Sequence, residues 1–442
     1  MIYSFFKYEL SAVPPALFQD NFMRHGTKSD LATAVLEGQT SQPPAEVATS
    51  LPVVDGGWLI NYVRWQKGST YRSVLHQHAT FLLSKFGMCR VIFDGYASST
   101  KDHEHLRRLT CAKKRANSIS LKLDNKAYHD QAAFLANTDN KVAFIRELAL
   151  YLGTAGHAIT CCNADGDTTV VKTALNLARN DQSVRVVAND TDILVMLIHH
   201  WDNTMADIAL HKQGAKKTET CIYSIRHLCA SIHHSIKSNI LFAHAWTGCD
   251  TTSHCYGFGK TQLLKYLKTR PEILPMVETI SNVNSTVDAV SDCGVKLFLN
   301  AYGGSDCTDL AHLRHIKFKT MMADKNQIDV FRLPPSERSV HFHALRVHLQ
   351  IVVWSTLDER CLDPLKWGWK SGSQGLEPVR TDLPPAPDCV LQFIRCNCKS
   401  LKNQCGTNIC SCRKNGMACV DMCGGCHGEG CKNAEKVDLN DA

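Results

Sequence analysis

Short apolar runs that end in aspartate recur through the first 270 residues. LPVVDGGWLI (51–60) carries Asp55, CRVIFDG (89–95) ends on Asp94 and Gly95, and HAITCC (157–162) leads into NADGD with Asp165 and Asp167. SVRVVANDTDILVMLI (183–198) holds Asp190 and Asp192. Apolar runs of this kind bounded by turn residues predict buried strands, and residues 183–198 read as the clearest strand of all. Helical patterns lie between them, over residues 71–86, 103–123, 141–152 and the second half of 163–180. Strands alternating with helices predict an α/β fold, a three-layer α/β/α arrangement on a mostly parallel sheet. In such open sheets ligands bind beyond the carboxyl ends of the strands. A solitary strand-end aspartate is usually a turn or cap residue, but six placed this way predict one acidic site. Carboxylates crowded together repel one another unless cations neutralise them, and all-oxygen ligand sets favour magnesium or manganese.

The flanking regions are less patterned. Residues 1–50 form an N-terminal extension that closes in the proline-containing GQTSQPPAEVATS, and residues 271–380 read as a helical or irregular extension packed on the core. Within it, SVHFHALRVHLQIVVWSTL fits a helix whose His341, His343 and His348 lack cysteine or acidic partners nearby, so packing is the expected role. Residues 381–395 read as a linker. A chain of 442 residues with 44% hydrophobic content is long enough for a large core and a small appended module. A net charge of +7 permits nucleic-acid binding without demanding it. No secretory apolar segment or long apolar run is visible, which predicts no membrane association and a reducing compartment where cysteines serve as metal ligands.

Composition changes the picture at the C-terminus. Nine of the 21 cysteines lie within residues 396–433: Cys396, Cys398, Cys405, Cys410, Cys412, Cys419, Cys423, Cys426 and Cys431. Zinc takes four such ligands, so nine thiolates make two independent sites with one left over, or three zinc ions with three bridging thiolates. The second solution uses every cysteine. Arg395, Lys399, Lys402, Arg413 and Lys414 surround them and suit phosphate contacts. Hydrophobic residues are too few to make a core without metal. The pairs Cys396/Cys398 and Cys410/Cys412 with the five that accompany them resemble the tesmin-like CXC domain, present here as a single unit. That resemblance implies a DNA-binding, three-zinc, nine-cysteine structural cluster.

Residues 51–270 resemble the flap endonuclease (XPG-like) branch of the PIN-like nucleases. The aspartate after the first strand matches Asp55, the V-F-D-G-like motif matches Asp94, and the acidic pair matches Asp165 and Asp167. The D-x-D pair matches Asp190 and Asp192, and a final G-x-D aspartate matches Asp250 in GCDTT. The third pair is aspartate where flap endonucleases carry glutamate, so shorter side chains must reach the same metals. The resemblance implies two catalytic Mg²⁺ or Mn²⁺ ions about 4 Å apart, the first held chiefly by Asp55, Asp94, Asp165 and Asp167. Asp190, Asp192 and Asp250 complete the second. It also implies that Lys101 and Arg108 neutralise the scissile phosphate. A turn with Gly257, Gly259, Lys260 and Lys265 would grip duplex backbone with a monovalent cation. The implied protein is a nuclear, metal-dependent DNA endonuclease or 5′ exonuclease. A catalytically inactive DNA-binding or chromatin-associated protein, and a zinc-stabilised interaction scaffold, are the alternatives. The joint architecture resembles mobile-element-associated eukaryotic proteins, and protein partners are not predicted.

Overall fold

The structure is a computed structural model that describes residues 2–434 other than 44–46, 96, 112–113, 164, 215–218, 305, 325–329, 359, 388–389, 391–394, 399–404, 420–422 and 428–430. Six strands make one sheet: β1 Leu51–Asp55, β2 Arg90–Phe93, β3 Ala158–Cys161, β4 Val184–Val187, β5 Ile208–Lys212 and β6 Cys221–Ser224. Their order is β3-β2-β1-β4-β5-β6. All neighbours are parallel except β6, which pairs antiparallel with β5. The chain moves outward from β1 to β3 and then returns to lay β4 on the other side of β1. The connection therefore reverses between β1 and β4, the place where open α/β sheets form a crevice.

Alternate residues of the central strands feed two apolar layers. Val53 and Ile92 join one cluster with Leu194 and Trp246, while Val54, Val91 and Phe93 join another with Trp58, Leu75, Phe134 and Phe144. Helices thus cover both faces of a mostly parallel sheet, as its near-continuous apolar strands require. The first cluster also takes in Leu17, Phe18 and Leu31 from the N-terminal extension and Val347, Trp354 and Trp369 from beyond residue 270. One core therefore draws on all three segments. Within it His348 Nδ1 lies 2.7 Å from the Ile280 carbonyl and His343 sits edge-on to Trp246, so both are buried packing groups. No described helix is long and apolar enough to cross a membrane.

Two local expectations are corrected. Only Val184–Val187 of residues 183–198 is strand, and Thr191–His200 is a helix. Asp190 accepts a hydrogen bond from Asp192 N at 2.9 Å and so starts that helix. Ile193 to Ile198 are wholly buried between the sheet and the helices Ile240–Trp246 and Glu337–Thr356, leaving no polar face to betray the helical period. The helix expected over 103–123 is instead Asp102–Cys111. Beyond it the side chains of Asn137 and Asn140 bond the backbone of Ala116, Asn117 and Ile119, which takes up groups a helix would use.

The loop after β2 depends on Gly95, because a Cβ there would collide with the backbone of Cys162 and Asn163. Gly95→Ala should destabilise the protein by about 1–3 kcal/mol. A lowered midpoint in urea denaturation checks this, and an unchanged midpoint would refute it.

Candidate functional site

Each predicted aspartate stands where one element gives way to the next. Asp55 ends β1 and caps the helix Gly56–Tyr62, accepting from Gly57 N at 2.8 Å. Asp94 follows β2 and accepts from Gly166 N at 2.9 Å, beside the start of the helix Asp167–Arg179. Asp190 caps Thr191–His200, and Asp250 lies in the loop after Ile240–Trp246. Cap role and site role coincide: Asp55 and Asp190 each satisfy a helix N-terminus while facing the same cleft. That cleft holds about 1380 Å³ and is lined by Asp55, Asp94, Asp165, Asp167, Asp190 and Asp250 together with Lys101, Arg108 and Lys141. Asp192 is 1% exposed and lies behind its wall.

Cations are fixed among these acids. Lys101 Nζ donates to Asp165 at 2.7 Å and to Asp167 at 2.8 Å. Arg108 bonds Glu104 at 2.7 Å through Nε and Asp250 at 3.1 Å through Nη2. Lys28, from the N-terminal extension, lies 2.7 Å from Asp250, 3.4 Å from Asp192 and 3.9 Å from Asp190. Behind Asp192 runs a buried chain. Lys260 Nζ lies 3.2 Å from His244 Nδ1, and His244 Nε2 lies 2.7 Å from Asp192 Oδ1. An ammonium can only donate, so Nδ1 accepts and the imidazole proton sits on Nε2, pointing at Asp192.

The electrostatics follow from burial against charge. Burial and the neighbouring Asp94 push the Asp55 carboxyl up to about 7, and burial with Asp192 pushes Asp190 up to about 6. Burial and Asp165 hold Asp167 well above the ordinary range. Asp192 is as buried, yet Lys28 and the His244 bond outweigh that burial and hold it well below the ordinary range. Burial and Lys260 lower His244 to about 4, which keeps it neutral near pH 7.

The donor set fits a divalent cation. Asp167, Asp190 and Asp192 offer oxygens within 4.8 Å of one another, an all-oxygen set of the kind magnesium or manganese takes, although Lys28 already pairs with two of the three. Space is kept beside Asp55 and Asp94 by a glycine: a Cβ on Gly57 would lie 3.1 Å from Asp55 Oδ1 and 3.3 Å from Asp94 Oδ2. The group His25, Glu104 and Asp250 fits less well, because Arg107 and Arg108 already bond both oxygens of Glu104.

At the C-terminus the thiols converge. Cys396 belongs to three quartets of mutually close sulfurs, with Cys398, Cys405 and Cys410, with Cys405, Cys419 and Cys426, and with Cys412, Cys419 and Cys423. Sulfur pairs stand 3.4–3.9 Å apart. A zinc–sulfur bond of about 2.3 Å gives a tetrahedral edge of about 3.8 Å. Cys431 is buried in the same cluster but joins none of the quartets.

The predicted nucleic-acid contacts divide. Arg395, Arg413 and Lys414 are exposed beside the cysteine cluster, and Lys265 is exposed on the helix Lys260–Thr269. Gly257 is exposed with φ 77°, and Gly259 precedes that helix. Lys260 is a correction. It is 4% exposed and donates inward to Gly248 O at 2.8 Å and Thr247 Oγ1 at 3.2 Å, so its ammonium stabilises the loop before Asp250 rather than facing phosphate. Lys399 and Lys402 lie outside the described residues. Sequence reasoning missed Lys28, Glu104 and His244. Only Glu104 carried a signal, its spacing of three and four residues from Arg107 and Arg108.

No protein-family model matches the chain, and no curated protein matches it. Among solved structures it is similar to the catalytic core of Rad2 in complex with DNA substrate, at 14% identity and TM-score 0.39, covering 77% of this chain and 99% of that one. It is similar to T5 5′-exonuclease with zinc bound, at 12% identity and TM-score 0.35, covering 70% and 90%. A third likeness is human GEN1 in complex with Holliday junction DNA, at 11% identity and TM-score 0.38, covering 74% and 77%. At such values the functional reading rests on this chain's own side chains.

Because Asp55 is raised from 3.8 to about 7, the folded state binds more protons than the unfolded state between those values. Its contribution therefore turns against stability as pH rises through that window, by on the order of a few kcal/mol. Asp55→Asn should melt higher than the metal-free wild type, with a gap that widens from acid to neutral pH. A gap that stays constant would refute the assignment.

Proposed function

We propose that this protein is a divalent-metal-dependent DNA nuclease, a structure-dependent endonuclease or 5′ exonuclease acting in the nucleus. Its cysteine module, loaded with three zinc ions, would hold it on DNA. One observation carries the reading: six aspartates from five separated segments line one cleft, with Asp192 buried behind its wall, and the cleft also presents Lys101 and Arg108. So many like charges gathered together suit a site whose occupant supplies positive charge. Magnesium or manganese bound there would polarise the phosphate and lower the pKa of a water.

The chain's own residues do the rest. Asp55, Asp94, Asp165 and Asp167 would hold one ion, and Asp190 and Asp250 line the other half of the cleft with Asp192 behind them. His244 orients Asp192 through a bond that Lys260 polarises from behind. Lys101 and Arg108 face the cleft and would turn to the non-bridging oxygens of a bound phosphate as charge builds there. Water oxygen then bonds to phosphorus as the P–O bond to the leaving strand breaks, and the proton that the water sheds passes through solvent to the leaving oxygen. Exposed Arg395, Arg413, Lys414 and Lys265, with the Gly257–Gly259 turn, offer sequence-independent backbone contacts. A monovalent cation at that turn would add to the grip.

A second reading, a catalytically silent DNA-bound or chromatin-associated protein, is favoured by one observation: Lys28, Lys101 and Arg108 already pair with acids of the cleft. End-labelled single-stranded, duplex and flap DNA separates the two. Wild type should cut with magnesium or manganese and not with EDTA, and Asp192→Asn should cut at least about 100-fold more slowly while binding DNA as tightly. Binding that weakens with salt but never leads to cutting would establish the silent reading.

The shared position of Cys396 gives a further expectation. Elemental analysis should find three zinc ions per chain, and Cys396→Ser should lose more zinc than Cys398→Ser, which belongs to one quartet. Equal losses would refute a shared-thiolate cluster.

A further inference from the structure

We propose that Lys28 is a built-in cation that takes the place of the second divalent ion, so that the cleft binds one divalent ion and not two. The inference rests on the nuclease reading only in taking the seven aspartates as ligands.

The Lys28 ammonium touches all three carboxylates of one half of the site, Asp250 at 2.7 Å, Asp192 at 3.4 Å and Asp190 at 3.9 Å. It is not among the residues that line the cleft, whereas Lys101 and Arg108 are. Lys28 therefore reaches the acids from behind, where substrate phosphate does not come, and it has no other charge to serve.

Its approach is fixed at both ends. After Lys28 the helix Ser29–Leu36 buries Leu31, Ala32 and Val35 in the main core. Before it, His254 N donates to Arg24 O at 2.7 Å, and His25 pairs with Glu104 at 3.2 Å. A Cβ on Gly26 would lie 2.8 Å from His254 Nδ1, so this segment runs hard against the loop that carries Asp250. A lysine tethered in this way costs little further entropy to hold in place.

The two halves of the site are unequal as a result. A divalent ion entering among Asp190, Asp192 and Asp250 must expel an ammonium already paired with all three and leave it buried without a partner, which is strongly unfavourable. Among the described residues Asp55 and Asp94 form no ion pair, and Gly57 keeps the space between them open. The cations on that side, Lys101 and Lys141, line the open cleft and can turn aside into it, which leaves room for one ion.

Manganese counting on the zinc-loaded full chain, by equilibrium dialysis with electron paramagnetic resonance of the free ion, tests this near neutral pH. Wild type should bind one Mn²⁺ that Asp55→Asn removes. Lys28→Gln should bind two, and Lys28→Arg, which keeps the charge, should bind one. Two ions in wild type, or one in a Lys28→Gln protein that melts cooperatively, would overturn the inference and leave the nuclease reading standing. No Mn²⁺ bound by wild type would overturn both. The wild-type count decides even if Lys28→Gln fails to fold.

Discussion

Repulsion among seven carboxylates gathered at and behind one cleft is the constraint on which the rest of the structure depends. Burial pushes Asp55, Asp167 and Asp190 toward the protonated form, and like charge adds to it. Three kinds of compensation are present. Backbone N–H groups at Gly57, Gly166 and Asp192 bond Asp55, Asp94 and Asp190. Lys28 from the N-terminal extension and Lys101 and Arg108 from the segment after β2 supply charge. His244, neutral and backed by Lys260, gives Asp192 a directed donor. The compensation is uneven: Asp192 has an ammonium and a directed imidazole donor, while Asp55 has backbone N–H alone. That unevenness separates a carboxylate far below its ordinary range from one pushed up to about 7.

Much of this was legible in the sequence because strand ends and turn residues are local. VVDGG, VIFDG and ANDTD each announce a carboxylate at the edge of a buried strand, and the sheet brings those edges together. The helix Thr191–His200 was not legible, since its apolar run has no polar face and carries no period. Lys28 was hidden for another reason: its partners lie 162 to 222 residues further on, and no local pattern points to them. His244, alone in the apolar ILFAHAW, reads as an ordinary core histidine, and it is both that and a donor to Asp192. Lys260 was placed on the wrong side because GFGK resembles a phosphate-facing turn, while its long side chain folds back under the loop. In the C-terminal module the count of cysteines was plain, but which of them is shared could come only from the convergence on Cys396.

The divisions at residues 50 and 270 mark changes in sequence texture, while packing runs across both. Leu31, Val186 and Trp354 belong to one apolar cluster. The helix Glu337–Thr356 lies against the helices Thr191–His200 and Ile240–Trp246, so it buttresses the elements that carry Asp190, Asp192 and Asp250.

The weaving of the N-terminal segment into this core has a consequence for how the protein is made. Residues 24–28 are made well before the groups they bond, Glu104, Asp190, Asp192, Asp250 and His254, and the helix that backs them ends at Thr356. Contacts of such long sequence separation form late and slowly. A nascent chain that has just passed Asp250 therefore carries all seven acids but not the completed pocket, which closes only after the helix Glu337–Thr356 has emerged.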